Sequence, residues 1–584
     1  MHKLCPRAPS LVLAVSWCLR VATLTSAQAQ PPTNSQTETI QGTVVNSVTH
    51  EPIGRALVYS PDQRFAAMTD SEGHFSLTFP ASSTVEANPS GNRVSPSAPS
   101  RAESLEAKKP GFLHSDRMEK LSGNKELTIS LIPEAVITGR VVLPSSDAPD
   151  RIRVELYQQW VHQGRAYWQS IRTATTRFHG EFRFADLPSG TYKLLTRELE
   201  DKDPLTVDPH GQPYGYPPVY FPNAQDFASA QAIQLAAGQT FQGADIAVVR
   251  QAYYPVKVVV ENIHELMVQL KVYAEGRGPG YELGYNRKDH TIVGTLPNGN
   301  YTLEVSTFEL AAFKGGTGLL NITVKGGPVE GPRLLVVPNG SITVVVTEDF
   351  TSSDSPNGRP PDSQNPARNA GPEDSTEMCV RGQCETLRGP SSYLNLRFEP
   401  DANIFDTGFG GFEKRGVGPE GKSFVIENVR PGRYWIRIDS RRGYPARINC
   451  GGVDLEHQPL VIGVGGSNSQ IEVTMRDDGA EVEGMVDGMA RTASETGGSA
   501  AVYLIPLPDG GGEYREAEVS PEGKFNFEQV PPGLYEALAI DRTQPRLEYR
   551  NSEAMRAYES KGQVVRLSPG QKEQLRLQVI STSE

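Results

Sequence analysis

From residue 38 onward, apolar and polar positions alternate in short runs with a period of two, as in Phe182 and Phe184, Tyr434, Ile436 and Ile438, or Phe525 and Phe527. A period of two puts successive side chains on opposite faces of an extended chain, so these runs predict half-buried β-strands. Clusters of Gly, Pro, Asn, Asp and Ser close the runs, which marks turns between them. Helical periodicity is sparse. The best short helix lies over residues 551–561, expected to pack at one end of the last folded module.

The turns repeat in pairs. Phe178-His179-Gly180-Glu181-Phe182 precedes Leu187-Pro188-Ser189-Gly190-Thr191-Tyr192, and Glu420-Gly421-Lys422-Ser423-Phe424 precedes Val429-Arg430-Pro431-Gly432-Arg433-Tyr434. Pro521-Glu522-Gly523-Lys524-Phe525 precedes Val530-Pro531-Pro532-Gly533-Leu534-Tyr535 in the same way. From the Phe to the second Gly the distance is eight residues in all three copies. The first Gly supplies a tight hairpin turn, an alternating strand follows, and the Pro-x-Gly turn leads into another strand beginning near the Tyr. Each unit thus folds three strands locally. Such a meander exposes an apolar face, which a second sheet must cover, and the result is a β-sandwich.

Partial copies fill the rest. Asp70-Ser71-Glu72-Gly73-His74-Phe75 carries the first turn, and Leu296-Pro297-Asn298-Gly299-Asn300-Tyr301 only the second. Opening strands recur at Gly42-Thr43-Val44, Gly139-Arg140-Val141 and Gly484-Met485-Val486, and closing strands at 127–131, 245–249, 471–475 and 575–580. The chain is therefore expected to be all-β, a tandem array of five Ig-like β-sandwich modules at 38–133, 134–250, 251–334, 335–478 and 479–584. The third is degenerate because it lacks the Gly-x-Phe turn. Residues 81–107 and 351–376 are rich in Ser, Pro, Asn and Ala and read as disordered insertions in the first and fourth modules.

Composition agrees with many turns. Gly (56) and Pro (45) exceed ordinary usage, yet hydrophobic residues at 37% and aromatics at 8% leave enough for several small cores. Lys3 and Arg7, an apolar stretch over 11–19 and Ala27-Gln28-Ala29 read as a signal peptide over 1–29, placing the mature chain outside the cytoplasm: secreted, periplasmic or at the cell surface. No later run is long and apolar enough for a transmembrane segment. The net charge of −12 argues against nucleic acid as a partner. Beyond the signal three cysteines remain. Cys379 and Cys384 can pair across Val-Arg-Gly-Gln, or Cys450 can take either of them.

The Thr-Asp-x-x-Gly-x-Phe turn at 69–75, the Leu-Pro-x-Gly-x-Tyr turns, Lys109-Pro110-Gly111-Phe112 and the stretch from Glu134 to Val141 resemble the carboxypeptidase regulatory-like family. Its modules are prealbumin-like (transthyretin-like) β-sandwiches, also classed as a carbohydrate-binding-like fold, and similar tandem forms are common in secreted proteins of acidobacterial type. The resemblance implies the fold and, for a partner, carbohydrate. It implies no activity, because the module is an accessory one in unrelated proteins.

Chemistry is thin. None of the ten histidines has a Glu three residues later, and there is no Gly-x-Ser-x-Gly elbow or Gly-rich phosphate loop. No metal or cofactor is expected. The acidic turns at 70–73 and 477–479 lack calcium-loop spacing, so their Asp and Gly residues serve the turns. The aromatic residues of the second module are the best ligand candidates: Trp160 and Trp168 flank a hairpin turn at Gln163-Gly164, and Tyr214, Tyr216 and Tyr220 lie in a Pro-rich loop. Sugar C–H groups stack on such rings, with Gln158, Gln159, Asn223 and Asp226 to hold hydroxyls, although the same rings serve equally to pack a sandwich end. Arg437, Arg441, Arg442 and Arg447 gather around Tyr444, as a solvated face or a site for an acidic partner. The expectation is a secreted, non-catalytic binding or display protein, a monomeric rod of modules, with a polysaccharide or an envelope protein as partner. The alternatives are a hydrolase or its accessory subunit, and a protein-binding envelope scaffold.

Overall fold

The computed structural model describes residues 37–80, 104–113, 119–120, 126–143, 151–200, 211–263, 267–275, 278–309, 314–351, 375–380, 383–388, 393–401, 404–405, 415–417, 423–466, 469–488, 500–507, 514–541 and 547–581. Residues 1–29, read above as a signal peptide, and most of the stretches 81–107 and 351–376 lie outside these. The chain divides into two compact units, Met1–Pro133 and Glu134–Glu584.

The first unit is a two-sheet sandwich. Its opening strand Thr37–Asn46 runs antiparallel to His74–Pro80 and parallel to Glu126–Leu131. Facing it is a sheet in which Leu57–Tyr59 pairs with Ala66–Met68 and Ser104–Lys108. Ile40, Val44, Phe75, Leu77, Phe79, Leu105 and Ile129 fill the space between. The stretch 81–107 is thus structured at its end, contrary to the expectation of an insertion throughout. Leu105 and Ala107 alternate inward there, and the surrounding Ser and Pro residues mask that short run in the sequence.

The second unit repeats the same wiring four times. Each opening strand pairs antiparallel with the strand after the first turn and parallel with the closing strand. Ala135–Val142 sits between Glu181–Leu187 and the short Thr240–Phe241 and Ile246–Ala247, and Gln251–Glu261 between Thr291–Pro297 and Val329–Leu335. Gly340–Asp349 sits between Ser423–Val429 and Ile471–Arg476, and Ala480–Asp487 between Lys524–Val530 and Lys572–Ile580. Four cores follow in chain order, centred on Ile137 and Phe182, on Val258 and Tyr301, on Val344 and Phe424, and on Val482 and Phe525. The third module forms this arrangement without the Gly-x-Phe turn, because Thr291–Pro297 pairs with its opening strand in unbroken register.

Two local devices explain the repeating motifs. The opening-strand glycine lies opposite the Phe of the turn, as Gly42 does opposite Phe75 and Gly484 opposite Phe525. A Cβ on Gly484 would come within 2.3 Å of the Leu575 carbonyl oxygen and 2.5 Å of the Phe525 ring, so the ring occupies the place of the missing side chain. The second device is a tyrosine hook. The hydroxyls of Tyr192, Tyr301, Tyr434 and Tyr535 each donate to the carbonyl four residues upstream, on Pro188, Pro297, Arg430 and Pro531, at 2.6, 2.9, 3.0 and 2.8 Å. The ring folds back over the intervening Gly, where a Cβ at 299 or 432 would meet the Tyr hydroxyl at 3.1 Å. Before three of the hooks one residue with positive φ (Asp186, Asn428 or Gln529) makes a β-bulge, which turns the following Leu or Val inward.

The fifth module's helix is a single turn, Ser552–Met555, capped by the Asn551 side chain. It is shorter than the residues 551–561 expected, and tight turns follow it. Met555 packs with Leu547 and Tyr549 on the outer face of the sheet holding Tyr503 and Leu538. The acidic turns are structural: Asp70 accepts from the backbone N–H groups of Glu72 and His74, both at 2.9 Å, and Asp478 accepts from the Tyr444 hydroxyl at 2.8 Å.

Replacing Tyr192 or Tyr535 by Phe keeps the ring and removes the hook. Each change is expected to cost about 1–3 kcal/mol, because it leaves a loop carbonyl unpaired. Gly484→Val is expected to cost more than either, since ring and backbone cannot both retreat. Chemical unfolding followed by tyrosine fluorescence and circular dichroism checks the ranking.

Candidate functional site

The strand Arg153–His162 and its partner Arg165–Thr175 form a long hairpin of the second module, closed by Gln163 (φ 49) and Gly164 (φ 71). Two consecutive positive φ values give a tight primed turn that matches the twist of the strands. The hairpin's base belongs to the module's own sheet. Further out, Trp168 and Gln169 pair in parallel with Ile404 and Phe405 of the fourth module.

The structure does not gather the five aromatic candidates on one open face. Tyr220 is buried, its hydroxyl donating to the Pro279 carbonyl at 3.1 Å. Burial also pushes its phenol far above the usual range. Tyr216 packs against the module's core, and the Arg250 guanidinium lies 4.1 Å from the Tyr214 ring centroid. Trp168 meets Phe227 edge-to-face at 5.7 Å. Trp160 stays 37% exposed, on the hairpin opposite Tyr167. Of the polar candidates, Gln158 is buried, Asn223 accepts from the Ala247 N–H at 3.1 Å and Asp226 accepts from the Ser229 N–H at 2.8 Å.

These rings enclose a lysine. The Lys193 ammonium sits 4.9 Å from the Trp168 centroid and 4.8 Å from that of Phe227, and donates to the Phe227 carbonyl at 2.7 Å. Burial lowers its pKa. A cation desolvated in this way is held by ring faces and carbonyl oxygens, so Tyr157, Trp168, Tyr220 and Phe227 form a satellite core around it.

The hairpin tip does what the sequence did not foretell. It lodges between the fourth and fifth modules. The Arg165 guanidinium stacks 3.6 Å from the Trp435 ring centroid, and Asp401 accepts from the Trp435 indole N–H at 2.8 Å while pairing with Arg165 and Arg433 at 3.5 and 3.1 Å. His162 Nε2 lies 3.0 Å from Glu399, whose other oxygen lies 3.5 Å from the buried Arg437. At the turn, the Tyr549 hydroxyl donates to the Gln163 side chain at 3.1 Å and the Arg550 N–H to the Gly164 carbonyl at 3.2 Å. A Cβ at 164 would lie 2.6 Å from the Tyr549 ring. Within the second unit the modules therefore touch beyond their chain neighbours. Partners lie 236 to 386 residues apart, so no local pattern reveals them; the glycine at the turn is the one trace in the sequence.

Beside this joint a cleft of about 450 Å3 opens between the fourth and fifth modules. Arg437, Arg441 and Tyr444, from the arginine cluster singled out in the sequence, line one side, and Arg515, Glu516 and Gln529 the other. Arg442 lies instead over the Phe350 ring, and Arg447 is not among the lining residues. Glu456 completes the floor, and burial pushes its carboxyl up to about 7. A second concavity of about 710 Å3, in the second module, is lined by Arg140, Arg177, Arg183, Glu181 and Asp245.

Cys450 is a free, buried cysteine in contact with the Ser469 carbonyl, and burial raises its thiol. Cys379 and Cys384 sit directly opposite each other in the hairpin of Ser375–Val380 and Gln383–Arg388; their side chains lie outside the described residues. Among the described residues no helix is long and apolar enough to cross a membrane.

No protein-family model and no curated protein matches the sequence. Among solved structures, the chain is similar to the TIE protein of Bacillus anthracis at 12% identity and a TM-score of 0.15, over 52% of this chain and 51% of that one. It is also similar to GBS52, the minor pilin of Streptococcus agalactiae, at 14% identity and 0.15, over 35% of this chain and 97% of that one. BcpA, the major pilin subunit of Bacillus cereus, matches at 10% identity and 0.13, over 76% and 99%. The chain thus spans about half the length of the Bacillus anthracis protein. Likeness at this level carries nothing about activity; the tandem β-sandwich fold rests on the strand pairings above.

The His162–Glu399 pair gives the joint a pH dependence. The hydrogen bond to Glu399 raises the His162 pKa above 6.5 against the opposing effect of burial. Burial alone would raise Glu399, but the His162 hydrogen bond and the nearby positive charges hold it below 4.5. A raised histidine stabilises fully below its unfolded pKa and loses that stabilisation as pH rises through the folded value; a depressed carboxylate loses its share in acid. The pair therefore acts fully between about pH 4.5 and 6.5. His162→Gln is expected to cost roughly 0.5 kcal/mol near pH 6, small because the ring is half exposed, and less as pH rises through the histidine's raised folded value. Thermal unfolding of wild type and variant across this range checks it.

Proposed function

We propose that the chain is a secreted, non-catalytic binding and display protein that works at a bacterial envelope, holding several β-sandwich modules in fixed relation and engaging an extended polymer, of which polysaccharide is the favoured kind. The observation that carries this reading is the hairpin of the second module, whose tip is fastened to the fourth and fifth by ring stacking, ion pairs and backbone hydrogen bonds. Fastening of this kind sets the distances between module surfaces, which suits a protein that presents sites rather than one that encloses a substrate. The two clefts described are lined by charged side chains at or near the surface, a form suited to a chain lying across them.

The motif resemblance to carboxypeptidase regulatory-like modules supports the same reading, since such modules accompany activities rather than perform them. The signal-like segment at 1–29 supports export. The five aromatic candidates do not carry the proposal, because most of their surface is spent on Lys193 and on the core; Trp160 alone keeps a substantial exposed face.

Applied to an array of plant and microbial polysaccharides, the full chain is expected to retain at least one of them, with binding unchanged by Trp168→Phe. An intact, folded chain that binds none of them contradicts the polysaccharide reading and leaves protein partners as the alternative.

A further inference from the structure

The cleft between the fourth and fifth modules has an uneven charge balance. Several of its ionic groups are already engaged. Arg437 faces Glu399 at 3.5 Å, Asp439 faces Arg397 at 3.0 Å, and Glu516 accepts from the hydroxyls of Tyr503 and Tyr514 at 3.2 and 3.3 Å. Two guanidinium groups are not balanced in this way. Among the described residues Arg441 has no carboxylate partner, and Arg515 makes one hydrogen bond, to the Gln529 carbonyl at 3.3 Å. They come from different modules and line the same cleft. A planar guanidinium offers paired donors that match a carboxylate, and two of them at one cleft favour an anion that can be shared.

The rest of the lining narrows the ligand. Tyr514 is stacked on both sides, with ring centroids 6.2 Å from Tyr503 and 4.9 Å from Tyr549, so it offers its hydroxyl and edge rather than a platform. Glu516, half satisfied by tyrosine hydroxyls, keeps acceptor capacity beside the arginines, because a carboxylate has about four lone-pair positions. Donors for a carboxylate next to acceptors for hydroxyls suit a sugar acid better than an acidic side chain, which brings no hydroxyls. Glu456 loses much of its opposing charge below neutral pH, since burial pushes its carboxyl up to about 7.

We infer that this cleft binds a uronate residue of an acidic polysaccharide, with Arg441 and Arg515 on the sugar carboxylate and Glu516 accepting from its hydroxyls. The inference rests on the polysaccharide reading above and gives it a location and a ligand class. The cleft's volume of about 450 Å3 accommodates one or two sugar units, so the chain of the polymer would continue along the surface on either side.

The test uses the full chain and calorimetric titration with hexagalacturonate, a neutral galactose hexamer and poly-glutamate. Binding of hexagalacturonate alone is expected, weakened at least tenfold by Arg441→Gln and again by Arg515→Gln, and weakened by added salt. Arg441 is exposed, so its variant is expected to melt with the wild type; unaltered melting with lost binding separates recognition from folding. Equal binding of the neutral hexamer, or uronate binding untouched by both variants, overturns the inference while leaving polysaccharide binding in place. Tighter binding of poly-glutamate also overturns it, in favour of an acidic protein partner. Failure of all three probes, together with silence on the polysaccharide array, removes both readings; failure here with a neutral polysaccharide retained on the array removes this one alone.

Discussion

Each of four modules in this chain depends on one short-range constraint, the return of a tyrosine hydroxyl over a glycine to the carbonyl four residues before it. A Pro-x-Gly turn without the hook would be free to enter the next strand at several angles. With it, the strand that begins near the tyrosine is fixed in direction as it crosses from one sheet to the other. The rings of Tyr192, Tyr301 and Tyr535 are buried in the same step and that of Tyr434 is partly buried, so one residue serves both as a turn lock and as core. In the first unit the corresponding turn, between His74–Pro80 and Ser104–Lys108, lies outside the described residues. Among its described residues, Gly42 packs under Phe75 and the first and last strands pair in parallel.

Once the modules of the second unit are built, the hairpin of the second meets the fourth and fifth through ion pairs, hydrogen bonds and ring stacking. At its tip the hairpin of the second module presents His162 and Arg165, which meet Glu399, Asp401 and Trp435. Individually such exposed and half-exposed pairs contribute little. Here they share atoms: Asp401 serves two arginines and an indole, and Glu399 serves a histidine and an arginine, so displacing one member unsettles the others. The same crowding of arginines leaves Arg441 and Arg515 unbalanced in the neighbouring cleft.

Much of the fold was legible in the sequence because the information is local. The eight-residue spacing from Phe to Gly, the opening glycines and the alternating strands all refer to contacts within one module. What local pattern does not contain is the identity of partners hundreds of residues away. Trp168 and Tyr220 looked like ligand residues because their composition is that of a binding loop, and only the structure shows Trp168 against Lys193, two strands away, and the Tyr220 hydroxyl on the Pro279 carbonyl. The strand Ser104–Lys108 was lost in a Ser- and Pro-rich stretch because two inward residues are too few to set a period. The arginine cluster at 437–447 was visible, but its division into Arg437 and Arg441 in the cleft and Arg442 over Phe350 depends on the connection between Gly432–Ser440 and Tyr444–Cys450, which belong to different sheets.

Fastening by the hairpin tip is the claim on which the joint, the cleft and the functional reading all rest, and hydrogen exchange on the full chain tests it most directly. Gly164→Val places a side chain against the Tyr549 ring at a position of positive φ, away from the cores centred on Ile137, Val344 and Val482. If the tip fastens three modules, amide exchange should quicken together at 162–165, at 399–401 and 433–437, and at 547–555, while Ile137, Val344 and Val482 stay protected. Quickening confined to residues 162–165, with the fourth and fifth modules unmoved, would show that the modules hold their places without the hairpin.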